Sequence, residues 1–312
     1  MPPTALLDRR LVVVTGKGGV GKSTVAAALA LLAARAGRRV LACELGAPER
    51  IAPLLGAPPA GTRAREALPG LSTVVVTPAE AMREYGLLVL RYRPVYEAVF
   101  ENRVVKYFLR VVPSLAELVV LGKVLNEVRA EERGRRRWDL VILDAPSTGH
   151  AVQLLRTPGA LVETVPAGPL RRDAQWMHGL LVDPAATALA LVTLAEELPV
   201  NELVELDGEL RALGMTRGAL LVNAVPEPRF DEPERALLAA AEPEPAPLGP
   251  AARAAGLLAQ RADEAARQVA RLRAGVDLAP TLLPLVPAEA WGLPGVERIA
   301  EALAAGGAPW AR

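Results

Sequence analysis

The 312-residue sequence predicts an α/β protein, with a mostly parallel sheet covered by helices on both faces and an added helical subdomain. Three observations predict it. Runs such as Leu11–Thr15, Leu71–Val76 and Leu140–Leu143 are β-rich and largely or wholly apolar, as buried parallel strands are. Helical patterns separate these runs, as crossovers between parallel strands require. A glycine-rich loop joins the first run to the first helix.

In chain order, Leu11–Thr15 reads as a strand ending at Gly16. Ser23–Arg35 is rich in alanine and leucine and stops at Gly37, so it is a helix. Arg39–Cys43 is the second strand. Leu71–Val76 is a strand, and Pro78 opens a helical stretch to about Arg129. Leu140–Leu143, Leu189–Leu194 and Ala219–Val222 are further strands, with the helical pattern of Val200–Leu213 between the last two. Leu282–Leu285 is the last strand and Val296–Ala304 the closing helix. One domain, 1–312, is expected. Within it, 79–130 and 226–275 exceed ordinary crossovers and are expected as helical insertions that form the subdomain. Glu242–Pro250, rich in Glu, Pro and Ala, is expected as an exposed turn between helices.

Apolar residues make up 51% and charged residues 23%, which excludes the disordered class. Cys43 is the one cysteine, which excludes a disulfide framework, an all-cysteine zinc site and an iron–sulfur cluster within one chain. Basic and acidic residues number 36 and 35, a net charge of +1, so no nucleic-acid partner is expected. No apolar run reaches the roughly 18 residues of a membrane span, and Met1–Arg10 lacks the apolar core of a signal peptide. A cytoplasmic location without an integral membrane segment is expected, with any peripheral membrane association made through a partner.

Gly16-Lys17-Gly18-Gly19-Val20-Gly21-Lys22-Ser23-Thr24 fits G-x-x-x-x-G-K-S/T between a strand and a helix. Each part has a physical reason. The glycines let backbone N–H groups turn inward toward phosphate oxygens without a Cβ in the way. The helix that starts near Lys22 adds its positive dipole end. Lys22 brings a point charge to the β- and γ-phosphates, and Ser23 a hydroxyl to Mg²⁺. ATP with Mg²⁺ is therefore the expected ligand pair, with Gly16 to Thr24 as its cradle. Arginine dominates the basic residues; only Lys17, Lys22, Lys106 and Lys123 are lysine, and two of these four lie in this loop. With Lys17 the loop resembles the deviant K-G-G-x-G-K-S/T form of dimeric nucleotide-switch ATPases, in which the extra lysine reaches the partner's nucleotide.

Leu140–Asp144 ends an apolar run in an acid, a Walker-B arrangement that places Asp144 to hold Mg²⁺ through its water shell. Asp144-Ala145-Pro146-Ser147-Thr148-Gly149-His150 resembles the D-T-A-P-T-G-H switch of the ArsA-type (anion-transporting, arsenical pump-driving) ATPases, a family related to the tail-anchored-protein targeting ATPase. Thr77–Tyr85 resembles that family's D-P-x-E-A-x-x-E-Y segment. Ala190–Leu203 resembles its strand followed by a P-E-x-L-type loop. Leu221-Val222-Asn223 matches its V-N segment and Leu285-Val286-Pro287 its late loop. The likeness runs in order over nearly the whole chain and is strongest to short bacterial members that occur as paired paralogues.

The resemblance implies a Mg-ATP-dependent dimeric switch that converts ATP to ADP and phosphate and couples nucleotide state to an unknown protein client. The dimer is a homodimer or a heterodimer with a paralogous ATPase. Lys17, Lys22 and Asp144 are the implied catalytic residues, Ser23 and Asp144 the metal ligands, and Asn223 and Pro287 the adenine contacts. The alternative is a weakly hydrolysing or non-hydrolysing ATP-binding scaffold subunit in a paralogue heterodimer.

Departures from the family pattern carry information. The family's S-T-D-P segment, whose Asp orients the attacking water, is here Glu44-Leu45-Gly46-Ala47-Pro48-Glu49, and Gly46 stands at that Asp. Glu44 is expected on the other sheet face, and Glu49 needs a local shift to reach the site. No cysteine lies near Ala251–Ala255, which excludes the zinc-bridged dimer of the targeting ATPase, and the cysteines of an arsenite triad are absent. About forty residues separate Asp144 from the strand near Ala188, too few for that ATPase's larger client-binding insertion.

Tyr85, Tyr92, Tyr96, Phe100 and Tyr107 recur on one helical face, either as subdomain core or as a client groove, with Pro94 expected to break or kink the helix. Arg133–Arg137 reads as a solvated basic loop before a strand. His150, His178, Arg171, Arg172 and Cys43 carry no ligand spacing and are expected in packing or surface roles.

Overall fold

The computed structural model describes residues 2–46, 48–90 and 113–311, with the side chains of 85–90, 113–116 and 311 left aside. Leu11–Thr15 (β1) lies inside an eight-stranded sheet, parallel to Leu140–Asp144 (β7) on one side and to Thr187–Leu194 (β8) on the other. The remaining strands are Val40–Leu45 (β2), Arg65–Leu68 (β3), Leu71–Val76 (β4), Arg217–Val225 (β9) and Pro280–Pro284 (β10). The order is β10-β9-β8-β1-β7-β2-β4-β3, and only β3, at one edge, is antiparallel to its neighbour.

The apolar runs are continuous because both sheet faces are covered. Val12, Val14, Ala42, Ile142, Ala190 and Val192 pack beneath Lys22–Arg35 (α1), the short Ile51–Leu54 (α2) and Leu293–Ala304 (α10). Their neighbours Leu11, Val13, Leu41, Leu143, Leu189 and Leu191 face the other way. They meet Pro78–Leu90 (α3), Pro113–Arg129 (α4), Thr148–Thr164 (α5), Pro169–Val182 (α6), Glu197–Ala212 (α7) and Leu248–Gly275 (α9). Each fully buried leucine or valine on these faces contributes about 1.5–3 kcal/mol. Ala26, Ala27, Ala28, Ala30 and Ala33 keep α1 slim enough to lie close on the sheet, with α10 beside it.

The predicted strands all form, most of them one to three residues longer than their apolar cores. The helical stretch after Pro78 forms helix at both ends, α3 and α4. Tyr92, Pro94, Tyr96, Phe100 and Tyr107 lie outside the described residues, as does the side chain of Tyr85. Glu232–Ala241 (α8) and α9 pack as a hairpin, and most of Glu242–Pro250 is the exposed turn between them, its last three residues entering α9. Arg133–Arg137 is the tip and return of an exposed two-stranded hairpin, Glu131–Glu132 (β5) with Arg135–Arg136 (β6).

Helices α5 and α6 have no counterpart in the sequence reading. Thr157-Pro158-Gly159 looks like a break, yet α5 runs through it. The Thr157 hydroxyl donates to the Gln153 carbonyl at 2.8 Å, one turn back. Gly159 lets α6 approach closely: a Cβ there would stand 3.3 Å from His178 Nδ1.

Candidate active site

At the carboxyl ends of β1, β2 and β7 a cleft of about 830 Å³ opens over the start of α1, with the loop 16–24 as its floor. The loop's shape depends on two glycines. A Cβ on Gly16 would lie 2.0 Å from the Val192 carbonyl oxygen, so the chain leaves β1 pressed against β8. Gly21 is left-handed (φ +88°), and a Cβ there would lie 2.2 Å from Asn223 Nδ2. That amide donates to the Val20 carbonyl at 2.9 Å, fastening the loop to β9.

Lys22 Nζ donates to the Lys17 carbonyl at 2.8 Å, inside the curl of the loop. Burial holds its ammonium below the usual lysine range; Asp144 works against that shift and Arg50 with it. A depressed lysine in an open cleft seeks an anion. Across the cleft, Ser23 Oγ donates to Asp144 Oδ2 at 2.5 Å. Burial raises the Asp144 carboxyl, and the Ser23 hydrogen bond and Lys22 oppose the rise. Asp144 Oδ1 is buried with no hydrogen-bond partner. The Ser23 hydroxyl and the Asp144 carboxylate, one of whose oxygens is orphaned, fit a hydrated Mg²⁺, a hard cation that takes oxygen ligands.

Of the residues singled out from sequence, Gly18, Gly19, Gly21, Lys22, Ser23, Thr24 and Asp144 share this cleft. Gly16 and Val20 shape the loop from behind. Lys17 points away, its Nζ 2.6 Å from Glu202 Oε1 on α7. Asn223 is buried behind the loop. Pro287 caps the short turn Ala288–Ala290, whose next residue, Trp291, lines the cleft and is 66% exposed. His150 is exposed in the first turn of α5, Arg171 donates to the Val165 carbonyl at 2.8 Å, and Cys43 is buried. Among the described residues no group of three His, Cys, Asp or Glu side chains gathers as a metal site.

The expected orientation of Glu44 is wrong. Strand alternation puts Ala42 and Glu44 on the α1 face, and Glu44 is in register with Asp144 on β7. It is 5% exposed and lines the cleft. Its Oε1 accepts from Arg50 N at 2.8 Å and its Oε2 from Ile51 N at 3.0 Å. Burial pushes its carboxyl up to about 7, against those two hydrogen bonds and with help from Asp144 and Glu49. Glu49 is fastened elsewhere: its carboxylate accepts from Ala60 N at 2.8 and 3.0 Å and from Gly61 N at 3.2 Å. Sequence reading also missed Arg50 and Trp291 in the lining. Period-two alternation from Ala42 would have found Glu44; no pattern in the sequence marks the other two.

The segment that builds this cleft is similar to known proteins. The sequence pattern of the anion-transporting ATPase family matches residues 9–166, which hold the loop, Glu44 and Asp144. The chain is 31% identical over 227 residues to the ATPase BagA of Mycobacterium tuberculosis, covering 71% of this chain and 66% of that one. It is 28% identical over 250 residues to an arsenical pump-driving ATPase of Escherichia coli, covering 72% of this chain and 41% of that one. A second arsenical pump-driving ATPase, from Acidiphilium multivorum, is 29% identical over 235 residues, covering 68% and 38%. The matched segment thus spans just under two thirds of the mycobacterial relative and about two fifths of the other two. With its pattern matched over half its length, the chain belongs to the anion-transporting ATPase family.

Proposed function

We propose that the protein is a Mg-ATP-dependent switch that hydrolyses ATP to ADP and phosphate and works as a dimer, with a second copy or with a paralogous ATPase. The observation that carries this reading is the pairing of Ser23 with Asp144 beneath an inward-turned glycine loop, with Asp144 Oδ1 left unpartnered. Backbone N–H groups of Gly18 to Lys22 would bind the triphosphate, and Lys22 would exchange its bond to the Lys17 carbonyl for phosphate oxygens. Ser23 and Asp144 would hold Mg²⁺, which supplies charge neutralisation at the β- and γ-phosphates. Asn223 and the loop from Pro287 to Trp291 would meet the base, which requires Asn223 to exchange its bond to the Val20 carbonyl for one to adenine.

In this reading Lys17 leaves Glu202 and meets the nucleotide of the facing subunit when ATP draws two subunits together. The segments 79–130 and 226–275 would supply the subdomain that changes arrangement with nucleotide state and meets a protein client. Neither nucleic acid nor an integral membrane segment enters this reading, and the expected location is the cytoplasm.

A second reading, an ATP-binding scaffold subunit with little turnover of its own, is favoured by Gly46, which places no carboxylate at the switch. Single-turnover hydrolysis of radiolabelled ATP decides between the two. Release of labelled phosphate by the purified protein supports the hydrolase. Stable bound ATP, with turnover restored only by a paralogue, supports the scaffold.

A further inference from the structure

We propose that Glu44 is the catalytic carboxylate that orients the attacking water in this chain, in place of the acid missing at Gly46. The inference rests on the hydrolase reading above and narrows it to one side chain.

Hydrolysis of a phosphoanhydride needs an acceptor for the O–H of the incoming water near the γ-phosphate. Three acidic side chains line the cleft. Asp144 is engaged with Ser23 at the metal position. Glu49 is held by the backbone N–H groups of Ala60 and Gly61, on the turn before β3. Glu44 remains. Parallel pairing of β2 with β7 sets it beside Asp144 on the α1 face, at the phosphate end of the cleft. Each of its oxygens accepts one backbone N–H, from Arg50 and from Ile51, which fixes the carboxylate plane. Each oxygen keeps a further lone pair for a water. The two donors are Arg50, the residue before α2, and Ile51, its first residue, so the carboxylate is tied to the start of that helix.

In the step assigned to it, the water oxygen forms a bond to the γ-phosphorus while the bond from that phosphorus to the β–γ bridging oxygen breaks. ADP leaves with the electron pair of that bond. The proton lost by water passes to the Glu44 carboxylate and from there to solvent.

The test compares the parent protein with E44Q, E44D and E49Q, reading ATP affinity, Mg²⁺ requirement and single-turnover hydrolysis for each. E44Q is expected to bind ATP within about threefold of the parent and to hydrolyse it about 100-fold or more slowly. E44D keeps the acid but withdraws it by one methylene; it is expected to bind normally and turn over about 10-fold slower, a loss in kcat without one in affinity. E49Q, at the cleft acid held by the Ala60 and Gly61 amides, is expected to slow hydrolysis far less than E44Q does; an equal or greater loss in E49Q overturns the choice of Glu44. Parent-like hydrolysis by E44Q overturns the proposal. So does an E44Q rate restored in full by added Mg²⁺, which assigns Glu44 to the metal's water shell instead. A parent that binds ATP and never hydrolyses it overturns the proposal while leaving nucleotide binding intact; a parent that binds no ATP overturns the underlying reading.

Discussion

Lys17 Nζ lies 2.6 Å from Glu202 Oε1, so the extra lysine of the phosphate loop is fastened within its own chain, outside the cleft. Both side chains are partly exposed, 30% and 40%, and an ion pair in that setting contributes only about 0–1 kcal/mol. The contact is therefore cheap to break when a stronger anion is offered. E202Q is expected to shift unfolding free energy by less than about 1 kcal/mol. K17A is expected to keep ATP affinity within about threefold and to lose ATP-driven association in sedimentation velocity. Parent-like association by K17A removes the role across the dimer.

Gly21 and Gly19 separate backbone strain from collision. Both are left-handed (φ +88° and +87°), but a Cβ on Gly19 has nothing within 4 Å while one on Gly21 strikes Asn223. G19A is expected to cost about 1–2 kcal/mol from backbone strain alone. G21A must also displace the amide that holds Val20, and is expected to cost more and to weaken ATP at least about 10-fold, or 1.4 kcal/mol. Denaturant melts and nucleotide titration of the two variants check the contrast.

Glu44 makes stability depend on pH. Its carboxyl rises from 4.5 to about 7 on folding, so between those values the folded state keeps a proton that the unfolded chain has lost. Stability is fully present below pH 4.5 and falls as pH rises through 7, by up to about 3 kcal/mol. Asp144, raised in the same direction, adds to the slope. Urea melts of nucleotide-free protein from pH 5 to 8 are expected to show this decline, with a shallower slope in E44Q.

In the proposed reading Asp144 holds the metal, and the same burial that suits it to that role costs stability. Its burial without a partner for Oδ1 means that D144N removes a desolvated charge. D144N is expected to melt no lower than the parent at pH 8, while its ATP affinity loses most of its dependence on Mg²⁺. Titration with and without chelator measures the second effect directly.

The parallel sheet was legible because Leu11–Thr15 and Leu140–Asp144 are buried on both faces, which leaves apolar runs that local composition alone reveals. The phosphate loop was legible because phosphate chemistry fixes its spacing. What escaped was set by tertiary contact. Pro158 sits inside α5 although it leaves the Leu154 carbonyl without its helical N–H, and α6 packs against the helix at Gly159. Trp291 reaches the cleft from a turn with no periodicity. Glu44 is legible in principle: alternation from Ala42 sets it on the α1 face, a lone charge in an otherwise apolar strand.

Isothermal titration calorimetry of ATP with Mg²⁺ into the parent protein and into K22A tests the central claim most directly. The parent is expected to bind one ATP per chain, with affinity that falls when Mg²⁺ is chelated, and K22A to show no measurable heat of binding. Absence of ATP binding by the parent, or equal binding by K22A, contradicts the assignment of this cleft.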